Sequence, residues 1–205
     1  MEDPGPILAP LRQTMGVVFP YTPRIEIVSM AQYNESDITH TNYNFYSYQR
    51  SVVSNIQLTA DFTAQTPDEA KYVLAVVHFF RSALKMFSGS DNIAGNPPVI
   101  LYIEGYGDYM LPRIPCVLTQ FNYSMPDDVD YISTNDFIPI GEQVYGGGPP
   151  TPAGFSLNSP DTETRMPTVS TVSLILQPVY SRKRVGQFSL EKFSRGGYLG
   201  KGGYV

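Results

Sequence analysis

Polar and apolar positions alternate most cleanly over residues 56–63. Ile56, Leu58, Ala60 and Phe62 fall on one side, Gln57, Thr59, Asp61 and Thr63 on the other. A period of two is the repeat of a half-buried β-strand. The period then changes. Thr66-Pro67-Asp68-Glu69 forms a capping box, in which the Thr66 hydroxyl accepts from the Glu69 amide and the Glu69 carboxylate reaches back to Thr66. Pro67 falls at the first helical position, where a missing N–H costs nothing, and Asp68 complements the positive end of the helix dipole. The spacing predicts a helix over about residues 66–87, ending at Ser88-Gly89 with Gly89 as the residue after the cap. Val73, Val76, Val77, Phe80, Leu84 and Phe87 make a broad apolar stripe, facing a narrow polar one of Lys71, His78, Arg81, Ser82 and Lys85. A helix apolar around so much of its girth is sunk into a sheet or pressed against another subunit.

Further strands are predicted at residues 24–28, at 99–103, at 116–123 (its start marked by Pro112 and Pro115) and at 169–177, closed by Pro178. Gly105-Tyr106-Gly107-Asp108 turns the 99–103 strand back into a hairpin through residues 109–111. Residues 125–132 read as an acidic turn or short strand. Residues 33–48 carry Tyr33, Tyr43, Phe45, Tyr46 and Tyr48 among Asn, Ser and Thr with almost no charge. They read as a long β-hairpin or as a loop presented to a partner. Residues 1–16 read as an extended arm, 17–180 as one β-rich domain, and 181–205 as a basic tail with short elements around Phe188, Leu190 and Phe193. Within the domain, residues 139–167 form a long Gly/Pro-rich loop, Gly146-Gly147-Gly148-Pro149-Pro150 included. The expected class is mainly β, an α+β or β-sandwich architecture with about six to eight strands, one helix and long loops.

Composition sharpens the picture. Of the 205 residues only 16% are charged, against about 25% in ordinary soluble domains, so much of the surface reads as made for contact rather than for water. The 14 Lys+Arg and 19 Asp+Glu are unevenly placed. Residues 181–205 hold six basic groups and one acid, a net of +5, which leaves −10 for residues 1–180. Opposite charges on one chain fit head-to-tail contact between copies, or a tail folded onto its own body. A negative body disfavours general nucleic-acid binding. The single Cys116 rules out an intramolecular disulfide framework and suits folding in a reducing compartment. No apolar run approaches the roughly 18 residues of a membrane span, and the acidic start Met1-Glu2-Asp3-Pro4 does not read as a signal peptide.

Candidate chemistry is thin. His40 and His78 are the two imidazoles, and His78 lies on the helix's polar stripe, where it reads as a solvated or interface side chain. Cys116, in an apolar strand, reads as a buried and inert thiol. Asp127, Asp128 and Asp130 lack the frame of a known calcium loop. Gly105-Tyr106-Gly107 is followed by no helix pattern, and Gly146-Gly147-Gly148 by no Lys-Ser/Thr, so neither reads as a nucleotide loop. No catalytic residue, cofactor or metal is predicted. The candidate interface residues are Tyr43, Phe45, Tyr46 and Tyr48 in the aromatic segment, with Arg182, Lys183 and Arg184 in the tail. The basic triplet could meet phosphates or dock on an acidic neighbour.

Several segments occur in an order that carries a resemblance: Phe19-Pro20-Tyr21-Thr22-Pro23, Phe62-Thr63-Ala64-Gln65-Thr66, residues 72–82 from Tyr72 to Ser82, Asn96-Pro97-Pro98-Val99, Gly105-Tyr106-Gly107, residues 125–131 from Met125 to Tyr131, and Gln177-Pro178-Val179-Tyr180-Ser181-Arg182. Together they resemble the tail-tube-like proteins at the baseplate–tube junction of contractile-tailed bacteriophages, the tube initiators or tail tube caps. The similarity covers residues 17–132 and 166–205. It implies a tail-tube-like antiparallel β-sandwich or barrel with one flanking helix, in a virion protein assembled in the host cytoplasm. Copies would close into a six-fold ring whose long hairpins line a channel. The ring would join baseplate hub proteins to the tail tube protein and template tube polymerisation, with the tape measure protein in the channel and the sheath outside. DNA would pass without specific binding, and no membrane is involved. Two alternatives compete: the repeated major tube subunit, and a non-catalytic carbohydrate-binding β-sandwich using the aromatics of 33–48 and 102–109. The absence of Trp counts against the sugar reading. An enzyme with Asp127 and Asp128 as acid and base stands behind both.

Overall fold

A computed structural model describes residues 6–37, 39–52, 55–88, 95–107, 110–134, 164–198 and 204. The chain is mainly β, of the α+β class that the pattern predicts. After a 3-10 turn at Pro6–Leu8 come α1 (Ala9–Gln13), β1 (Arg24–Ile27), β2 (Met30–Ser36), β3 (Phe45–Val52), β4 (Ile56–Thr63), α2 (Pro67–Ala83), β5 (Leu101–Gly105) and β6 (Leu111–Ser124). Then follow β7 (Tyr131–Ser133), β8 (Arg165–Pro167), β9 (Val169–Pro178), α3 (Arg182–Gly186) and α4 (Leu190–Ser194). Five strands form one antiparallel sheet in the order β1-β4-β9-β6-β5, while β2-β3 and β7-β8 each form a two-stranded sheet.

The chain divides into two compact units, to both of which β4, β6, β9 and α2 contribute residues. The first comprises Met1–Thr22, Ala60–Phe79 and Tyr123–Val172. Its core holds Phe62, Val73, Val76 and Val172, all nearly inaccessible. The stretch before β1 is fastened to it: the Phe19 ring lies 5.7 Å from that of Phe62, and the Tyr72 hydroxyl accepts from the Val18 amide at 2.8 Å while donating to the Val18 carbonyl at 3.1 Å. Upstream, the predicted extended arm is corrected. Residues 6–13 are helical, because Pro10 sits in the first turn of α1, where it is tolerated, and Leu11 gains burial. Residues 1–5 lie outside the described residues.

The α2 cap forms nearly as the sequence dictates. The Glu69 amide donates to the Thr66 hydroxyl at 3.3 Å, but the Glu69 carboxylate accepts from the Gln65 amide, at 2.7 Å, rather than from that of Thr66. The helix stops at Ala83, short of the predicted Phe87. Phe87 is held elsewhere: its amide donates to the Asn96 carbonyl at 3.2 Å and its carbonyl accepts from Gly95 at 2.7 Å. Gly89 falls outside the described residues, as do residues 139–163 of the predicted long loop. The end of that loop is corrected to a strand, since β8 pairs with β7 through Ile132 opposite Met166.

The second unit comprises Pro23–Thr59, Phe80–Asn122 and Ser173–Val205. Its buried side chains include Ile56, Leu58, Phe80, Ile114, Cys116 and Leu174. The period-two faces of β4 and β9 are regular. On β6 the parity slips, with Leu111 buried and then Ile114, Cys116 and Leu118. The register explains the slip. Ile103 pairs with Ile114 and Gly105 with Leu111, so Glu104 alone stands opposite both Pro112 and Arg113. This is a β-bulge, and Arg113 carries its positive φ of 37°. The prolines predicted to precede the strand therefore lie inside it, Pro112 at a bulge where no ladder N–H is required. In the connection between the paired Gly105 and Leu111, Tyr106 and Gly107 both adopt positive φ. The Tyr106 hydroxyl donates to the Pro23 carbonyl at 3.3 Å.

Candidate interaction surfaces

Residues 33–48 fall within a hairpin, not a loop: Met30 pairs with Val52 at one end of β2–β3 and Ser36 with Phe45 at the other. Both strands are exposed along β2 and from Phe45 to Ser51 of β3. The hairpin bonds to no other strand among the described residues, so within that set both of its outer edges are sheet edges. A register shift at Gln32/Tyr33 sorts the side chains. Tyr33, Glu35, Tyr46 and Tyr48 share one face: the Tyr33 and Tyr48 rings meet edge-on at 5.7 Å, and the Tyr46 hydroxyl donates to Glu35 at 3.0 Å. Asn44 Nδ2 donates to the same Glu35 oxygen. The adjacent carboxylate raises the Tyr46 phenol above its ordinary pKa of 10.0. Arg50 Nε, bonded to Gln32 at 2.6 Å, belongs to the other face. The hairpin's two described charges inside its strands are thus each engaged by a neighbour, leaving rings as the outward feature. Phe45 lies across from the tyrosine face, and Tyr43, before β3, is 83% exposed.

The basic tail folds into a small cap within the second unit. The Ser181 hydroxyl accepts from the Arg184 amide at 3.3 Å to start α3, and the Ser189 hydroxyl accepts from Lys192 at 3.4 Å to start α4. Such serines are the preferred N-caps. Neither helix has a buried residue, and five residues cannot sustain a helix in water alone. Aromatic rings hold them. Phe188 lies 4.9 Å from Tyr204 and 5.7 Å from Phe193, and Tyr204 lies 5.0 Å from Tyr198 and 5.1 Å from Tyr180. The Tyr204 hydroxyl donates to the Arg184 carbonyl at 2.6 Å.

This arrangement divides the basic triplet. The Arg184 guanidinium lies 5.4 Å from both the Tyr180 and Tyr204 rings, an internal cation–π contact. Arg182 and Lys183 are exposed and join no salt bridge among the described residues. Sequence alone ranks the three together. The i,i+4 spacing of Tyr180 and Arg184 is a local signal for the pairing, but Tyr204, twenty residues on, gives none. A second contact of this kind, Arg113 over the Tyr102 ring at 4.9 Å, depends on the bulge and has no sequence signature.

Elsewhere, Cys116 is wholly buried and burial pushes its thiol up to about 12. Asp127, Asp128 and Asp130 are exposed. Among the described residues no group of three or more His, Cys, Asp or Glu side chains is placed to hold a metal ion, and no helix is long and apolar enough to cross a membrane. Neither a known protein-family model nor a curated protein matches the chain.

Proposed function

We propose that this chain is a structural subunit that closes into a ring, acting as the initiator or cap that joins a phage baseplate hub to its tail tube. In this reading the β2–β3 hairpins of successive copies surround a channel for DNA, and the ring templates polymerisation of the tube protein. One observation carries the reading: the hairpin stands as a separate two-stranded sheet with Tyr33, Phe45, Tyr46 and Tyr48 all more than half exposed. A lone hairpin is marginally stable in water, and its free edges invite aggregation unless something pairs with them. A closed ring of copies removes every edge. Aromatic-rich, charge-poor surface is also the composition of interface cores. The order of motifs along the sequence supplies the particular assignment to the baseplate–tube junction.

Electron microscopy of the full-length chain, alone and mixed with the tail tube protein and hub, tests the proposal. Rings with a central bore are expected, one layer per tail. Many layers per tail would reassign the chain as the major tube subunit, and a chain monomeric in every mixture would overturn the ring.

A further inference from the structure

The folded cap presents a surface that the ring reading does not by itself explain. Arg184 is held against two tyrosines and the exposed Arg195 is bonded to Glu191 at 3.0 Å; the cap's other exposed cations among the described residues are Arg182, Lys183 and Lys192. None of these joins a salt bridge among the described residues. The same two helices also expose apolar side chains, Val185 on α3, 58% exposed, and Leu190 on α4, 70% exposed. Exposed cations and exposed apolar side chains carried together on one small cap are the composition of a docking surface, not of a solvated tail. The aromatic cluster makes it rigid in advance, so binding sacrifices little conformational entropy.

The same chain carries a surface of matching character. The turn from β6 to β7 exposes Asp127, Asp128 and Asp130 between Met125 and Tyr131, themselves 54% and 50% exposed. None of the three carboxylates joins a salt bridge among the described residues. Three exposed acids with two exposed apolar neighbours in sequence match in character three exposed bases on a cap that also exposes Val185 and Leu190.

We infer that the cap, through Arg182, Lys183 and Lys192 together with Val185 and Leu190, docks on the Asp127–Asp130 turn of a second copy. Such a contact is head-to-tail, the kind that generates rings when the rotation closes. The body's net charge of −10 against +5 for the tail favours this occupant over a nucleic acid, whose phosphates the body would repel. The inference rests on the ring reading and adds the surfaces that meet.

The test is a charge swap in the full-length chain, with association measured by sedimentation velocity at low salt and at about 1 M, where screening falls to about 3 Å. R182E/K183E and D127K/D128K should each weaken association about tenfold or more at low salt, since each puts like charges face to face. Their combination should restore it, and high salt should narrow all these differences. All four positions are exposed, and circular dichroism should report an unchanged fold. Swaps without effect on an oligomer that still forms, or a combination that fails to recover, would overturn this contact and leave the ring standing. A wild-type chain that stays monomeric would overturn the ring and the contact with it. Binding of a short DNA duplex that R182E/K183E abolishes would reassign the cap to nucleic acid and overturn the inference.

Discussion

A single side chain tests the interior of the second unit. Cys116 faces the core of β6 with no accessible surface, and desolvation pushes its thiol from 9.0 to about 12. The thiolate is the reactive form, so the folded chain should resist thiol reagents at pH 8 while the denatured chain reacts readily. The linkage has a definite sign. The folded pKa lies above the unfolded one, so this contribution to stability is whole below pH 9 and is lost as pH rises toward 12. The slope approaches about 1.4 kcal/mol per pH unit in that window, because the unfolded state releases the proton first. Urea unfolding at pH 8, 9, 10 and 11 should show the decline, and Cys116→Ala should remove one proton's share of it. Labelling of the folded chain as fast as of the unfolded one would refute the burial.

At the scale of elements, the cap offers the sharper test because its two helices are too short to stand alone. Tyr204→Ala removes ring contacts with Phe188, Tyr198 and Tyr180, a cation–π contact with Arg184 and the hydrogen bond to the Arg184 carbonyl. Together these amount to about 2 kcal/mol of local stability. Hydrogen-exchange protection at the Phe193, Gly196 and Gly197 amides, all bonded within the cap, should fall about thirtyfold, while protection in β4 and β9 stays unchanged. Equal loss everywhere would mean that the cap is not a separate cooperative piece. The contrast also shows what sequence can express. β4 and the N-terminus of α2 are legible because their determinants lie within four residues: a period of two, and a Thr66–Glu69 box. The Ser181 and Ser189 caps rest on bonds just as local, although the sequence reading goes no further than short elements around Phe188, Leu190 and Phe193. The early end of α2 is not, since a bond from Phe87 to Asn96 decides it. Nor is the bulge at Pro112–Arg113, which is visible only once Ile103 and Gly105 have found their partners. For the candidate surfaces, the aromatic segment announces itself by composition. Which rings share a face depends on the register shift at Gln32/Tyr33, and which cation of the triplet is withdrawn depends on Tyr204.

For the whole molecule, two surfaces of different physics are proposed to act in one assembly, and their salt dependence separates them. The cap is charged, so its contribution should fade with screening. The hairpin offers rings, with Glu35 and Arg50 already engaged by Asn44, Tyr46 and Gln32, so its contribution should persist at high salt. Tyr33→Ser with Tyr48→Ser removes the edge-on pair from the tyrosine face. Both side chains are more than half exposed, so unfolding of the monomer should shift by no more than about 1 kcal/mol. Association should nevertheless weaken about a hundredfold, the scale at which buried aromatic anchors act in interfaces, and equally at low and at high salt. An oligomer indifferent to the loss of both tyrosines would show that water, not a neighbouring copy, covers this face. The isolated hairpin would then need another cause, and the ring reading would lose the observation on which it stands.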